Sequence, residues 1–219
     1  MIGDFVYAPP TDPYLDILHV DEHILVLNKQ PGLLTVPGKA AEHADCLETR
    51  VQEEFPTATT VHRLDMDTSG VMIMALNKQV HRHLGLQFER RHTAKVYLAE
   101  VYGHPEKDEG TVDLPLRCDW PNRPMQMVDH EQGRSAQTNW RVLHRHANHT
   151  SMELTPITGR SHQLRVHMLE LGHPILGDRF YASGEALNAS ERLMLHAKSL
   201  TLHHPDGGER VTFEAPSPF

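Results

Sequence analysis

The sequence predicts an α+β fold built on a largely antiparallel, mixed sheet with helices packed against it. Three observations carry that expectation. Short apolar runs bounded by Gly, Pro, Asn and Asp outnumber stretches of helical spacing, of which there are two or three. Several of these runs are separated by tight turns, as antiparallel hairpins require. The regular strand–helix–strand alternation that builds a parallel sheet does not occur.

Taken in order, Pro9, Pro10 and Pro13 mark residues 1–13 as an arm without regular structure, and residues 14–219 then form a single domain. Ile17 to Val20 and His23 to Asn28 flank Asp21-Glu22 as two strands, the second stopped by Pro31-Gly32. Asp45 is placed to cap a short helix over Leu47, Val51 and Phe55 that Pro56 ends. Strands follow at Thr59–Leu64 and Val71–Leu76, then a helix capped by Asn77 that runs roughly to Arg90. Lys95 to Val101 alternates as a strand closed by Gly103, and residues 104–134, with four prolines, read as irregular. A hairpin is expected about residues 146–149, a helix from Ser161 to Leu171 with Gly172 as its stop, and a last hairpin around Asp206-Gly207-Gly208.

Composition narrows the function classes. A chain of 219 residues is long enough to bury a core without staples, and Cys46 and Cys118 are too few and too far apart for a disulfide scaffold or zinc ribbon. No apolar run approaches a membrane span, and Met1-Ile2-Gly3-Asp4 does not open a signal peptide, so a cytoplasmic protein is expected. A net charge of −8 argues against indiscriminate binding of polyanions. The charge is uneven, however: residues 1–60 hold three bases against ten acids, and residues 61–99 six bases against three acids. Such a local basic face on an acidic body suits a polyanion read at one site.

Three segments set polar groups against well-formed elements. His62-Arg63-Leu64-Asp65, with Asp67-Thr68-Ser69-Gly70, leads into an apolar strand; here Asp67 reads as a turn residue, not a second acid. Lys95 and Tyr97, two apart on a strand, share one face. Thr158-Gly159-Arg160-Ser161-His162-Gln163-Leu164-Arg165 is a glycine turn entering a helix, where free N–H groups and Arg160 favour an anion. Arg165, about one turn along, is placed to pair with an aspartate.

In this order the motifs resemble those of the RluA-type pseudouridine synthases, and the likeness runs over nearly all of residues 14–215. Gln30, where proline is common, and Leu164, where isoleucine is common, are the departures noted. The resemblance implies a catalytic domain with a central RNA-binding cleft and without an S4 domain. It implies isomerisation of uridines to pseudouridine in structured RNA, by base flipping and with no cofactor or metal. It makes Asp65 the catalytic carboxylate, acting either on the ribose C1′ or on a ribose proton. Tyr97 would stack on the base, Arg165 would pair with Asp65, and Leu164 would wall the uracil. Arg63 would fill the gap left by the base or bind the neighbouring phosphate. His62, Lys95, Arg160, His162 and Gln163 complete the candidate RNA contacts. The implied partners are a 23S rRNA stem-loop and tRNA anticodon stem-loops, with no membrane and no obligate protein partner.

Two other classes compete: an RNA-binding or folding factor without chemistry, and a metal hydrolase drawing on the eighteen histidines. The intact Asp65, Tyr97 and Arg165 set disfavours the first. Against the second, no His-Glu-x-x-His occurs and the histidine clusters have no evident carboxylate partner in sequence.

Overall fold

A computed structural model describes residues 6–219. The first five residues of the expected arm, and with them the segment tested for a signal peptide, lie outside the described residues. The fold is α+β, with a largely antiparallel sheet, as predicted. Contacts divide the described residues into two compact units, those up to Thr93 with 199–216 and residues 94–198 with 217–219.

The first unit contains β1 (Ile17–Val20), β2 (Ile24–Lys29), α1 (Leu47–Glu54), β3 (Thr59–Thr60), β4 (Ser69–Ala75) and α2 (Lys78–Glu89). Strands β1, β2 and β4 pair antiparallel in that order, and β3 pairs with β4. All seven residues of β4 are buried, as are Ile24 to Leu27 of β2, so these strands read as apolar runs without alternation. Helix α2 begins at Asn77, whose side chain accepts from the Val80 N–H, and buries Val80, Leu84 and Gln87.

Two expectations fail here for local reasons. The strand predicted over 59–64 ends at Thr60, because the His62 imidazole, not a strand carbonyl, accepts the Ile73 N–H at 3.1 Å. Helix α1 is capped by Cys46, whose sulfur accepts from the Thr49 N–H, not by Asp45. Asp45 is instead held by Arg50, through Nε at 2.6 Å and Nη2 at 2.8 Å. Arg50, 1% exposed, also donates to the carbonyls of Pro10 and Tyr14, so the described part of the arm is tied down although it lacks regular structure.

The second unit contains β5 (Ala94–Tyr102), β6 (Glu109–Asp113), β7 (Leu116–Cys118), β8 (Gln126–Val128), β9 (Gln137–Arg145), β10 (His149–Pro156), α3 (Gln163–Glu170) and α4 (Gly184–Asn188). Strands β5, β10, β9 and β6 pair antiparallel in that order, and β7 pairs with β8. The stretch 104–134 is thus less irregular than predicted. Its strands are short, and in β6 only Val112 is buried, which leaves little pattern to detect. Gly110 is required in β6, since a Cβ there would stand 2.8 Å from the Trp140 ring. Ala99, Val101, Met152, Leu154, Leu164 and Met168 join one core cluster; each large aliphatic side chain so buried stabilises by about 1.5–3 kcal/mol.

The division between units falls within β11 (Leu195–His203), which continues in an antiparallel hairpin to β12 (Arg210–Glu214). Among the described residues no helix is long and apolar enough to cross a membrane.

Candidate active site

The loop that carries Asp65 is fixed through its own backbone. The Leu64 carbonyl accepts from Thr35 Oγ1 at 2.8 Å, and the Asp65 carbonyl accepts from the Thr68 N–H at 3.1 Å. The Met66 carbonyl accepts from the Gly32 N–H and from Lys29 Nζ, both at 2.9 Å. Three consecutive carbonyls are therefore held. Lys29 is 1% exposed, and its ammonium also donates to the Gln30 and Leu33 carbonyls. Its three N–H bonds meet three carbonyls. Asp67 sits inside the turn closed by the Asp65–Thr68 bond, in keeping with its expected turn role. Asp65 is half-buried and Arg63 exposed, while His62 stacks on Phe88 with ring centroids 4.6 Å apart.

In the second unit, Lys95 and Tyr97 lie on β5, with Tyr97 opposite Leu154. Tyr97 is half-buried and packs against the cluster containing Leu154 and Leu164, so the predicted stacking residue and apolar wall share one surface. A Cβ on Gly159 would be 3.6 Å from Lys95 Nζ, which places the ammonium over the Thr158–Arg160 turn. Burial pushes the Lys95 ammonium below its ordinary value.

The turn itself is organised from inside. Gln163, 3% exposed, accepts through Oε1 from Thr158 Oγ1 and the Arg160 N–H and donates through Nε2 to the Gln137 carbonyl and Thr138 Oγ1. Its carboxamide faces the protein and acts on the site by shaping the turn. Arg160 donates from Nε to the Ser135 carbonyl. Helix α3 starts at Gln163, two residues later than predicted, because His162 adopts a left-handed backbone with φ of 51°. The His162 ring lies 2.7 Å from the Tyr181 hydroxyl and stacks on Phe180.

Arg165 is paired with an aspartate, and one the sequence did not single out. Its Nε and Nη2 donate to the two oxygens of Asp178 at 2.8 and 2.6 Å, with side chains 2% and 0% exposed. The guanidinium also lies over the Phe180 and Tyr181 rings. Asp178 Oδ1 accepts from the Phe180 and Tyr181 N–H groups as well, so one short loop orients both Arg165 and His162. Gly177 permits this loop, since with φ of 68° any Cβ would strike the Arg192 carbonyl oxygen. The Gly-Asp step before two aromatic residues was the available sequence signal.

The histidine clusters also need correction. The sequence suggests no carboxylate partner for them, yet Glu100 Oε2 lies 3.4 Å from His149 Nε2.

A model of the RNA pseudouridylate synthase family matches residues 23–170. The chain belongs to the RNA pseudouridylate synthase family. Over 214 residues it is 56% identical to the dual-specificity RNA pseudouridine synthase RluA of Escherichia coli K12, covering 97% of this chain and 98% of that protein. The Yersinia pestis protein of the same description is 54% identical, covering 93% of this chain and 99% of its own length. Among solved structures, human RNA pseudouridylate synthase domain containing 1 superposes with a TM-score of 0.80 at 30% identity, covering 97% of this chain and 87% of that one. This pseudouridylate synthase is therefore an RNA-modifying isomerase, and the readings as a bare RNA-binding factor or a metal hydrolase are not favoured.

Proposed function

We propose that this synthase has two kinds of substrate, an rRNA stem-loop and tRNA anticodon stem-loops, and that Asp65, Tyr97 and Arg165 carry its chemistry. The observation that supports the reading best is the 56% identity, over 97% of the chain, to a relative described as dual-specificity. In this reading residues 14–219 act as one catalytic domain behind the arm, in the cytoplasm, and receive the flipped uridine in a central cleft.

Asp65 acts on the nucleoside, at the ribose C1′ or by removing a ribose proton. The bond from C1′ to the base nitrogen breaks, the uracil turns, and C5 bonds to C1′. C5 then gives up its proton and the released nitrogen acquires one, so the atoms balance. Tyr97 stacks on the base, with Leu164 behind it. Arg165, oriented by Asp178, keeps the Asp65 carboxylate ionised. His62, Arg63, Lys95, Arg160 and His162 serve the RNA, Lys95 and Arg160 as cations for phosphate.

The test is conversion of defined 23S rRNA and anticodon stem-loops by the pure protein in excess chelator, together with a map of pseudouridines in total RNA from a deletion strain. Conversion of both RNAs, abolished by Asp65→Asn, is the expected result. Loss of pseudouridine only at other sites in the deletion strain would overturn the substrate assignment.

A further inference from the structure

We infer that Glu100, His146 and His149 form a binding site for one divalent transition-metal ion, with zinc the best fit. The three residues are brought together by register. Ala147-Asn148 closes the β9–β10 hairpin, with the His146 N–H donating to the His149 carbonyl at 2.9 Å, so the two histidines flank the turn side by side. Ser151 is paired with Glu100 on β5, and residues 149 and 151 of one strand face the same way. Glu100 therefore joins the histidines on one face. No His-x-x-x-His spacing betrays this arrangement in the sequence.

The donor atoms of the three side chains all lie within 4.8 Å of one another. His149 Nε2 and Glu100 Oε2 are 3.4 Å apart, which matches the roughly 3.4 Å edge of a tetrahedron built on zinc bonds of about 2.05 Å. The His146 and His149 rings stack with centroids 4.3 Å apart and planes 13° from parallel. Each imidazole donates in its own ring plane, so binding one ion requires the exposed His146 ring, at the hairpin tip, to turn out of this stack.

The support around these donors is also in place. The Ser151 hydroxyl lies 2.8 and 3.0 Å from the two Glu100 oxygens, and His146 Nε2 lies 2.8 Å from the same hydroxyl. One serine thus orients both a carboxylate and an imidazole, the kind of outer partner that metal ligands require. Glu100 is 13% exposed and brings the single negative charge. Two imidazoles and one carboxylate suit zinc, nickel or copper and disfavour magnesium or calcium, which take oxygen donors. Water, or His144 with its ring 4.4 Å from that of His146, completes the coordination. None of the three ligands belongs to the residues proposed for isomerisation. The ion would staple the hairpin tip to β5, the strand that carries Lys95 and Tyr97.

Tag-free full-length protein titrated with zinc chloride against a chromophoric chelator tests the site. The expected result is one high-affinity zinc per chain and a rise of several degrees in melting temperature. His149→Ala and Glu100→Gln should each weaken binding by more than about tenfold, with turnover on RNA unchanged. Paramagnetic cobalt, added below one equivalent to the wild-type chain, should broaden the His146 and His149 ring signals first. That measurement needs no variant to fold. Absence of zinc uptake, undiminished uptake by the variants, or broadening centred on other histidines would each overturn the site.

Discussion

Lys29 Nζ donates to the Met66 carbonyl at 2.9 Å, one residue beyond the proposed catalytic Asp65. The same ammonium holds the Gln30 and Leu33 carbonyls, so a buried cation ties the turn after β2 to the Asp65 loop. Lys29→Met keeps the stem but removes all three N–H donors. It should cost at least about 2 kcal/mol of stability through the unmet carbonyls. It should also lower turnover more than RNA affinity, since misplacing a reacting group by about 1 Å can cost a hundredfold. Urea unfolding and single-turnover assays on one RNA check both, and a wild-type unfolding midpoint would sink the idea.

The Lys29 clamp joins residues 37 positions apart, which no local sequence pattern records. The apolar run of β4 and the Asn77 cap are one-dimensional signals, and both appear where expected. The roles of Lys29, Gln163 and Asp178 depend on partners distant along the chain or on the direction in which a side chain turns. A lysine before a Pro-Gly turn reads as exposed, yet three carbonyls make its burial tolerable. Likewise the sequence marks Arg165 as a partner for the Asp65 carboxylate, but a single aspartate such as Asp178 carries no periodicity that marks it as the residue that orients the guanidinium.

The Arg165–Asp178 pair predicts a second outcome. Both side chains are buried, so Asp178→Asn takes the two-point carboxylate partner away from the guanidinium in a dry site. Asp178→Asn should destabilise the protein by about 3–5 kcal/mol. It should also release the His162 and Arg165 side chains from their shared loop, abolishing conversion even where the fold survives. A variant with the wild-type unfolding midpoint and turnover would refute this.

His62 offers a sharper local test. Its ring nitrogen replaces a strand carbonyl as acceptor for the Ile73 N–H. His62→Phe keeps a ring to stack on Phe88 but removes the acceptor, at a cost of about 1–3 kcal/mol. Hydrogen exchange followed by NMR should show the Ile73 amide opening faster while the Met74 and Ala75 amides change less. Unaltered protection at Ile73 would show that the bond contributes nothing.

The turns at Asp21 and His204 make a pH prediction. Burial pushes the Asp21 carboxyl up, but His19, the N–H groups of Ile24 and His23, and His204 outweigh it and hold the group well below the usual carboxylate range. Burial pushes the His204 ring down, yet the Asp206 carbonyl and the Asp21 carboxylate leave it raised. His23 also faces this group, 3.9 Å from the Asp206 carboxylate. The lowered Asp21 stabilises above its unfolded value of about 3.9 and loses that effect as pH falls through the folded value; the raised His204 stabilises below about 6.5 and loses it as pH rises through its folded value. The cluster should therefore stabilise most between roughly pH 4 and 6.5. Asp21→Asn should flatten both limbs of this contribution in a melting-temperature profile and lower the His204 value measured by NMR. An unchanged profile would count against it.

Arg50 holds the arm and its junction with the domain chiefly through the carbonyls of Pro10 and Tyr14. Main-chain oxygens are present whatever side chain a residue bears. Over evolutionary time, therefore, the identities of residues 10 to 14 are expected to drift with little penalty from this contact, apart from the Tyr14 ring that lies over the guanidinium. An insertion or deletion between them would pull one oxygen out of reach. Length, more than lettering, is what that stretch must preserve.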